Sequence, residues 1–254
     1  FRASWGRVGN DRLKDENGND IRFPYLTTLG NVSSTWGTGL AENRTGSMNL
    51  KWEVSTKTNF GIDARFFDDK VDMTVDFFHT KTTDIFQRRA NIPDEGGLSN
   101  VLPYANIGSM KSWGMDGTLA YTHTFNKDMA LTVRGNFTHA ENEVIYWEQS
   151  GVNYPYQSNS GVPYKVQRGL IALGLFKDED DIKSSPKQTF MDNYRPGDIK
   201  YKDVNGDGKI DKDDVVPLNY SAVPFIQYGF ALDWNYKAFR VSILFEGVSK
   251  VQYF

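Results

Sequence analysis

The feature that most constrains the fold of this 254-residue chain is the alternation of very short and very long connections between predicted strands. Trp52–Phe67 and Lys70–Gln87 are joined only by Asp68 and Asp69, and the other tight turns fall at 127–128 and 237–238, whereas long connections span about 9–50, 88–111 and 147–224. Short turns at one end and long loops at the other are typical of bacterial outer-membrane barrels. The remaining predicted strands are Phe1–Val8, Ser112–Asn126, Met129–Tyr146, Phe225–Tyr236 and Phe239–Phe254.

Each predicted strand alternates apolar and polar side chains, which indicates one greasy and one hydrated sheet face. A soluble β-sandwich would show the same alternation with its apolar face turned inward. Strand length favours the barrel, because most of these strands run to roughly 12–18 residues, whereas globular strands usually have 5 or 6 and a bilayer crossing needs 9–11. Apolar residues of the second strand are Phe60, Ile62, Ala64 and Phe66, and its polar residues are Asn59, Gly61, Asp63 and Arg65.

Aromatic residues crowd the short-turn end of the predicted strands. Amphipathic rings settle at the boundary between hydrocarbon and headgroups, so a ring of aromatic side chains is expected at that depth in a membrane barrel. The residues concerned are Phe66, Phe67, Tyr121, Phe125, Trp234, Tyr236 and Phe239. Together with strand length, this position favours lipid over a second sheet as the neighbour of the apolar face.

The predicted fold class is therefore all-β, an antiparallel transmembrane β-barrel segment of about seven strands with long extracellular loops. Single-chain bacterial barrels have an even number of strands, at least 8, so the remaining strands are expected outside this sequence. The chain starts and stops within strand patterns and has no signal-peptide features, which predicts an internal piece of a longer protein. Charged residues on the hydrated faces would line the lumen; these include Asp63, Arg65, Asp72, Asp76, Asp116, Arg134, Asp233 and Arg240.

Composition excludes several functional classes. A net charge of −3 with interspersed acids and bases gives no reason to expect nucleic-acid binding. The chain has no cysteine, which excludes disulfides and thiolate chemistry. His79, His123 and His139 fall on predicted strands without a neighbouring nucleophile motif, so no enzymatic activity is predicted. A glycan hydrolase would need a carboxylate pair in a cleft, and acids are too numerous here for their presence to identify one.

The strongest local motif is an oxygen-rich loop that resembles the calcium loop of an EF-hand. Oxygen donors at alternate positions suit a hard cation, Gly208 permits the sharp turn, and the main-chain carbonyl of Lys209 can supply a ligand. The twelfth position holds Asp214 instead of the usual Glu, and Asp213 is a possible substitute. A structural Ca²⁺ ion is the predicted cofactor; the alternative is an Asx-rich turn without metal. The candidate ligands are Asp203, Asn205, Asp207, Lys209, Asp211 and Asp214.

The same long loop contains an aromatic cluster and a short acidic segment. Exposed rings can stack on sugars or anchor a partner protein, and they can equally pack a loop against itself. The acidic segment Asp178–Ser185, ended by Pro186, predicts one short helix. The candidate contact residues for substrate or partner are Tyr146, Trp147, Tyr154, Tyr156 and Tyr164.

The order and spacing of several segments resemble the SusC/RagA-type TonB-dependent transporters of Bacteroidetes outer membranes. The resemblance covers essentially the whole chain and places it toward the C-terminal part of the barrel. The segments that carry it are Asn49–Glu53, Lys81–Ile85, Asn106–Gly108, Pro196–Asp203 and Asn205–Gly208, followed by Pro224, Tyr228–Phe230, Phe239, Ser242, Phe245 and Gly247.

This resemblance implies a barrel of about 22 strands with a plugged lumen. Residues 1–254 would form a partial receptor barrel domain, and the plug domain would lie outside the sequence. The resemblance further implies energy input from TonB and a SusD-like surface lipoprotein that captures oligosaccharide or peptide. The leading hypothesis is therefore part of a nutrient importer of the cell outer membrane, in contact with lipid. The alternative is a secreted, calcium-stabilised β-sandwich that binds carbohydrate.

Overall fold

The computed structural model describes residues 1–14, 18–35, 37–92 and 101–252. In this part of the chain almost all regular structure is β. Short helical segments are α1 (Glu179–Ser184) and two 3₁₀ turns, Pro155–Gln157 and Lys212–Asp214. The strands are β1 (Arg2–Asn10), β2 (Thr28–Ser34), β3 (Gly37–Arg44), β4 (Glu53–Phe66), β5 (Val71–Arg88), β6 (Tyr104–Asn126), β7 (Met129–Tyr146), β8 (Val166–Gly169), β9 (Ala172–Leu175), β10 (Lys187–Gln188), β11 (Ile199–Tyr201), β12 (Lys209–Ile210), β13 (Val216–Ser221), β14 (Ile226–Tyr236) and β15 (Phe239–Ser249).

Seven of these strands form one antiparallel sheet in the order β1-β4-β5-β6-β7-β14-β15. We call this sheet the wall. Each wall strand lies beside the next wall strand of the sequence, so the wall is an up-and-down meander, which confirms the predicted all-β barrel segment. The other strands form small two-stranded sheets within the loops: β2–β3, β8–β13, β9–β11 and the parallel pair β10–β12.

The register aligns the apolar side chains of the wall in rows across neighbouring strands. Ala64 lies opposite Met73, Met73 opposite Leu119, Leu119 opposite Gly135, and Gly135 opposite Phe230. Side chains alternate between the two faces of a sheet, so these rows share one face, which we call the outer face. The next row toward the long loops is Ile62, Val75, Gly117, Phe137 and Tyr228, and the row toward the short turns is Phe66, Val71, Tyr121, Val133 and Leu232.

The outer face is not buried against a second sheet. Phe60 is 44% exposed and Phe230 is 44% exposed, and Ile62 and Leu131 are only half-buried. A sandwich would place these four side chains in a dry interior. The buried hydrophobic side chains of the described residues lie instead at or beyond the long-loop ends of the strands: Phe86, Val144, Phe176, Ile210, Val216 and Phe225. The sandwich alternative is therefore not favoured.

The opposite face of the wall carries ionic networks. Arg2 donates from Nε to Asp63 at 2.7 Å and from Nη2 to Asp76 at 2.9 Å. Asp233, only 5% exposed, accepts hydrogen bonds from Arg134 of β7 and from Ser242 of β15, the latter at 2.5 Å. These contacts join three strands at a time, which helps to hold the register of the wall.

The tight turns fall where the sequence predicts them. Strands β4 and β5 are joined by 67–70, β6 and β7 by 127–128, and β14 and β15 by 237–238. Left-handed backbone at Phe67, Asp68 and Asp69 (φ 57°, 54° and 63°) reverses the chain in the first of them. Beside these turns Phe67 is 75% and Phe239 72% exposed, as expected for rings at a membrane boundary.

The predicted start of the strand before the second tight turn is wrong: it was expected at Ser112 and lies at Tyr104. The cause is an irregular register between β5 and β6, where Thr82 pairs with Met110 but Ile85 pairs with Gly108. Left-handed backbone at Asp84 (φ 56°) produces this irregularity and breaks the alternation on which the prediction depends. The middle loop is therefore 89–103, and its residues 93–100 lie outside the described part.

The other two long connections contain structure of their own. The first holds the hairpin of β2 and β3. The third holds the six short strands from β8 to β13 and the helix α1. The predicted short helix is confirmed, with Asp178 as its N-cap accepting from the backbone N–H of Asp180 at 3.1 Å and of Asp181 at 2.8 Å. The last strand was predicted to run to Phe254, but it ends at Ser249, and Tyr253 and Phe254 lie outside the described residues. Within the described part, no helix is long and apolar enough to span a bilayer.

Candidate functional site

A cavity with a volume of about 810 Å³ lies at the long-loop end of the wall. We call it the loop-end cavity. Its lining comes from β1, β4, β5 and β6 near their long-loop ends and from the segments that follow β1, β5 and β7. Ligand pockets in proteins commonly measure 300–1,000 Å³, so its size suits a small molecule or part of a larger one. Residues that line it include Asn10, Glu53, Phe86, Gln87, Tyr104, Trp147, Glu148 and Tyr164.

Glu53, on the polar-face register of β4, organises one side of the cavity. Its Oε1 accepts the backbone N–H of Phe86 at 3.0 Å, and its Oε2 accepts from Asn10 Nδ2 at 3.0 Å. Phe86 stacks on Tyr104 with ring centroids 4.8 Å apart and an interplanar angle of 6°. The β5–β6 irregularity is braced beside it, since Asn106 Nδ2 donates to the Asp84 carbonyl at 2.8 Å.

Buried polar groups also line the cavity. Glu148 is 6% exposed and accepts from Arg89 Nε at 2.7 Å and from the backbone N–H of Asn91 at 3.3 Å. Gln87 is 4% exposed, and neither polar atom of its side-chain amide has a hydrogen-bond partner among the described residues. An unpaired buried amide is costly, so water or a polar ligand that paired with it would recover part of that free energy.

The predicted aromatic cluster is divided by the structure. Trp147 and Tyr164 line the loop-end cavity, with ring centroids 6.3 Å apart. Tyr154 and Tyr156 stack on each other at 5.3 Å and do not line it. Tyr146, 47% exposed at the end of β7, is also outside the lining. Only two of the five rings are therefore placed to meet a molecule in this cavity.

Tyr154 and Tyr156 pack against the predicted calcium loop instead. The Tyr156 hydroxyl donates to the Asp213 carbonyl at 2.6 Å, and Asn205 Nδ2 donates to the Tyr154 hydroxyl at 3.2 Å. Loss of water contact raises the pKa of Tyr156, and nearby acids such as Asp214 add to the effect. These two rings brace the loop, which is the self-packing alternative for this part of the cluster.

The loop from Asp203 to Asp214 is folded by its own side-chain oxygens. Asp203 accepts the N–H of Gly206 at 2.6 Å and of Gly208 at 2.8 Å, and Asp207 accepts the N–H of Lys209 at 3.0 Å. Gly206 and Gly208 adopt φ values of 77° and 85°, which side chains other than glycine rarely tolerate. The predicted role of Gly208 in the sharp turn is therefore supported by its backbone.

Asp214, the residue at the twelfth position, closes the loop. It is fully buried, and its two oxygens accept the backbone N–H of Val204 at 2.7 Å and of Asp211 at 2.9 Å. Lys209 Nζ lies 3.2 Å from an oxygen of Asp211. Hydrogen bonds from the Asp213 N–H and from Lys209 lower the pKa of Asp211.

The donor chemistry of this loop suits a hard cation, but its geometry does not bring the acids together. Carboxylate, amide and carbonyl oxygens at alternate positions are the groups that calcium prefers. Among the described residues, however, no three His, Cys, Asp or Glu side chains converge as a metal cluster. The loop as folded fits the Asx-rich turn as well as it fits a calcium loop, and Ca²⁺ stays a prediction.

Sequence reasoning missed the polar residues of the loop-end cavity, namely Asn10, Glu53, Gln87, Arg89 and Glu148. They come from strands and segments far apart in the sequence, and only the register of the wall brings them together. The signal available in the sequence was Glu148 directly after Trp147, a carboxylate next to a ring at the end of a long strand.

A one-layer antiparallel wall with an apolar outer face, an ionic opposite face and a cavity at its long-loop end is the architecture of a segment of an outer-membrane β-barrel. The family model described as "TonB dependent receptor-like, beta-barrel" matches residues 1–251. The chain therefore belongs to the TonB-dependent receptor-like β-barrel family. That family is one of outer-membrane receptors and transporters and is not an enzyme family.

Named relatives agree with this assignment. The chain is 28% identical to TonB-dependent receptor P26 of Formosa agariphila, over 97% of this chain and 25% of that protein. It is 24% identical to TonB-dependent receptor SusC of Bacteroides thetaiotaomicron, over 84% of this chain and 21% of that protein. The chain thus spans about a quarter of the length of the relatives that it matches.

Solved structures show the same fold. The RagAB peptide importer in its open-open state matches with a TM-score of 0.71 at 21% identity, over 98% of this chain and 26% of that chain. The closed-closed state matches with a TM-score of 0.67 at 22% identity, with the same coverage. The predicted resemblance to SusC/RagA-type receptors is thereby confirmed.

Proposed function

We propose that this chain forms wall and outer loops of a nutrient importer in the bacterial outer membrane. The observation that carries the proposal is the outer face: rows of apolar side chains in register that no second layer covers. Lipid is the medium that would favour such a surface. On this proposal the chain contributes binding surface and shape, and uptake requires no covalent chemistry from its residues.

The loop-end cavity is proposed to meet the cargo before it enters the lumen. Trp147 and Tyr164 provide ring surfaces there, and the amide of Gln87 is unpaired beside them. Rings with convergent polar groups suit oligosaccharide or peptide, because both present polar groups on a partly apolar backbone. The structural likeness to the RagAB peptide importer supports peptide as one of these two cargo classes.

The proposed partners follow from the same likeness. The long loops 11–52 and 147–225 would lie outside the cell, where a SusD-like surface lipoprotein would dock and capture cargo. TonB would energise uptake through an N-terminal region and a plug outside this sequence. Support comes from the relative named SusC and from the RagAB structures, of which this chain spans about a quarter.

Fractionation of cells that produce the full-length protein tests the membrane placement. We expect the protein in the outer-membrane fraction, soluble only after detergent is added, because the outer face exposes side chains such as Phe77, Leu119 and Phe245. Recovery of a folded protein from the soluble fraction without detergent would contradict the proposal and favour a secreted module.

Uptake of cargo tests the role of the cavity. Cells with Trp147→Ala should accumulate labelled peptide or labelled oligosaccharide more slowly than wild-type cells, because one ring of the cavity is lost. Tyr154→Ala is the matched control, since that ring lies outside the cavity. Equal uptake by Trp147→Ala and wild-type cells, at equal amounts of protein in the outer membrane, would refute the role of the cavity.

We also propose that Ca²⁺ binds the Asp203–Asp214 loop as a structural ion. The main support is its donor set, with Asp203, Asn205 and Asp207 at alternate positions and the Lys209 carbonyl following. Chelation should then increase protease cleavage within the loop, and Asp203→Ala should abolish the difference between calcium-loaded and chelated protein. Cleavage that is unaffected by chelation would show that hydrogen bonds alone hold the loop.

A further inference from the structure

An apolar groove of about 310 Å³ runs across the outer face of the wall, separate from the loop-end cavity. Its sides are formed by Met73 and Val75 of β5, Met115 and Leu119 of β6, and Phe137 of β7. Gly117, Thr118, Gly135 and Asn136 complete the lining, and no charged side chain of the described residues is part of it. The two thioether side chains among these nine residues give the groove an adaptable surface, because methionine is unbranched and polarizable.

The groove exists because two glycines interrupt the outer-face rows. Gly117 lies opposite Phe137, and Leu119 lies opposite Gly135, so the two glycines are diagonal neighbours on adjacent strands. At each of them the floor of the groove is bare backbone. An ideal Cβ at Gly135 would meet nothing closer than the Gly229 carbonyl oxygen at 3.8 Å, so this space is open and not filled by a neighbour.

The position of the groove along the strands sets its depth. On the short-turn side lies the row with Phe66 and Tyr121, which belong to the predicted ring of aromatic side chains at the membrane boundary. On the long-loop side, His79 lies opposite Trp113. The Lys111 Nζ lies over the Trp113 ring, 5.3 Å from its centroid. Aromatic and charged side chains of this kind belong at the two membrane boundaries. The groove therefore lies between them, at the depth of hydrocarbon.

We propose that this groove holds one acyl chain of a membrane lipid; the inference rests on the membrane placement proposed above. Hydrocarbon chains are the medium at this depth, and the lining offers them apolar walls and a backbone floor. Lipid tails and leucine side chains are equally apolar, so preference for the groove must come from closer packing and not from transfer out of water. A chain that lies over Gly117 and Gly135 would contact the backbone floor together with the flanking side chains of Met73, Met115 and Phe137.

Photo-crosslinking in a bilayer of defined composition tests this proposal. The full-length protein is reconstituted into phosphatidylethanolamine nanodiscs that contain a small fraction of the same lipid with a diazirine in the acyl chain. Mass spectrometry then maps the adducts. We expect adducts at Met73, Met115 and Phe137 to exceed those at Ile243 and Phe245 by about fivefold, which a handful of additional dispersion contacts would produce.

Two leucine variants at the same depth provide the control. Gly135→Leu fills the groove and should reduce the enrichment to the level of the surrounding wall. Ala64→Leu adds the same side chain in the same row outside the groove, and it should leave the enrichment unchanged. Gly135→Ala is the milder variant to use if Gly135→Leu fails to fold, and it should give a partial reduction.

Each other outcome overturns the proposal. Adducts spread evenly over the outer face would show an ordinary lipid contact, and crosslinks between two protein chains at Met73 or Phe137 would show a second copy in the groove. Enrichment that survives Gly135→Leu would place the lipid elsewhere. Failure of the protein to enter nanodiscs would instead refute the membrane placement itself, so the two ideas fail in different ways.

Discussion

Gly114 on β6 is the position where a single methyl group should do most damage to the wall. Gly114 lies between Phe78 of β5 and Ala140 of β7. An ideal Cβ there would overlap the backbone carbonyl oxygen of His139, and it would lie 2.7 Å from the Phe78 ring and 2.9 Å from Ala140 Cα. The Phe78 ring could turn away, but the backbone of β7 is held by its hydrogen bonds to β6 and β14.

Two other wall glycines make a graded series with Gly114. An ideal Cβ at Gly117 would lie 3.1 Å from the Thr74 carbonyl oxygen, which requires a small adjustment, and at Gly135 the nearest atom is 3.8 Å away. Overpacking of rigid structure lowers stability by about 1–3 kcal/mol. We therefore expect Gly114→Ala to destabilise the protein by an amount at or above the upper end of that range, and Gly117→Ala by an amount near its lower end. Gly135→Ala should stabilise by about 0.5 kcal/mol, because alanine restricts the unfolded chain.

Urea unfolding of the full-length protein in detergent micelles, followed by circular dichroism in the strand region, measures the series. We expect the urea concentration at the unfolding midpoint to decrease in the order Gly135→Ala, Gly117→Ala, Gly114→Ala. The free energies of unfolding of the first and last variants should differ by about 3 kcal/mol or more. If Gly114→Ala does not assemble, the order of the other two still tests the argument. Equal midpoints for all three would refute the reasoning, because they would show that β7 can yield without cost.

Three further predictions concern the long outer loop. Asp178→Ala removes the N-cap of α1 and should cost about 1 kcal/mol locally, seen as faster amide exchange within α1, while Asp178→Ser should restore protection. The hydrogen bond from Lys200 lowers the pKa of Asp181, so this contact stabilises the loop above the usual aspartate pKa and is lost as pH falls through the lowered value; the amide protection factors there should fall in acid, and Lys200→Met should weaken that pH dependence, with the part due to the Lys177 N–H remaining. Tyr156→Phe deletes the hydrogen bond to the Asp213 carbonyl and should raise protease cleavage within the Asp203–Asp214 loop, whereas unchanged cleavage would show that ring packing alone braces it.

Periodicity was sufficient to predict the wall because the alternation is uninterrupted there. From Phe60 to Phe66 and from Val71 to Phe77, every second side chain is apolar, and the predicted faces agree with the observed register. The start of β6 at Tyr104 could not be predicted in the same way. The irregularity at Asp84 shifts the pairing between β5 and β6, and no pattern in either strand alone reports a change in the partner.

The loops were less predictable because contacts between distant segments decide them. Tyr154 and Tyr164 are both exposed-loop tyrosines by sequence, yet one braces the Asp203–Asp214 loop and the other lines the loop-end cavity. The helix at 179–184 was an exception, since its cap at Asp178 and its stop at Pro186 are local signals. The role of a loop residue that depends on tertiary contacts could therefore be assigned only from the folded structure.

The two ends of this structure are stabilised by different surroundings, and the loop-end cavity lies where they meet. In the wall, apolar side chains such as Leu119 and Phe245 stay exposed, so they gain stability only from lipid. At the loop end, Phe176 and Ile210 are buried at 2% and 0% exposure, as in the core of a soluble protein. The lining of the cavity spans this boundary, with long wall strands on one side and a packed loop on the other. On the function proposed above, cargo in the cavity would contact the wall on one side and this packed loop on the other.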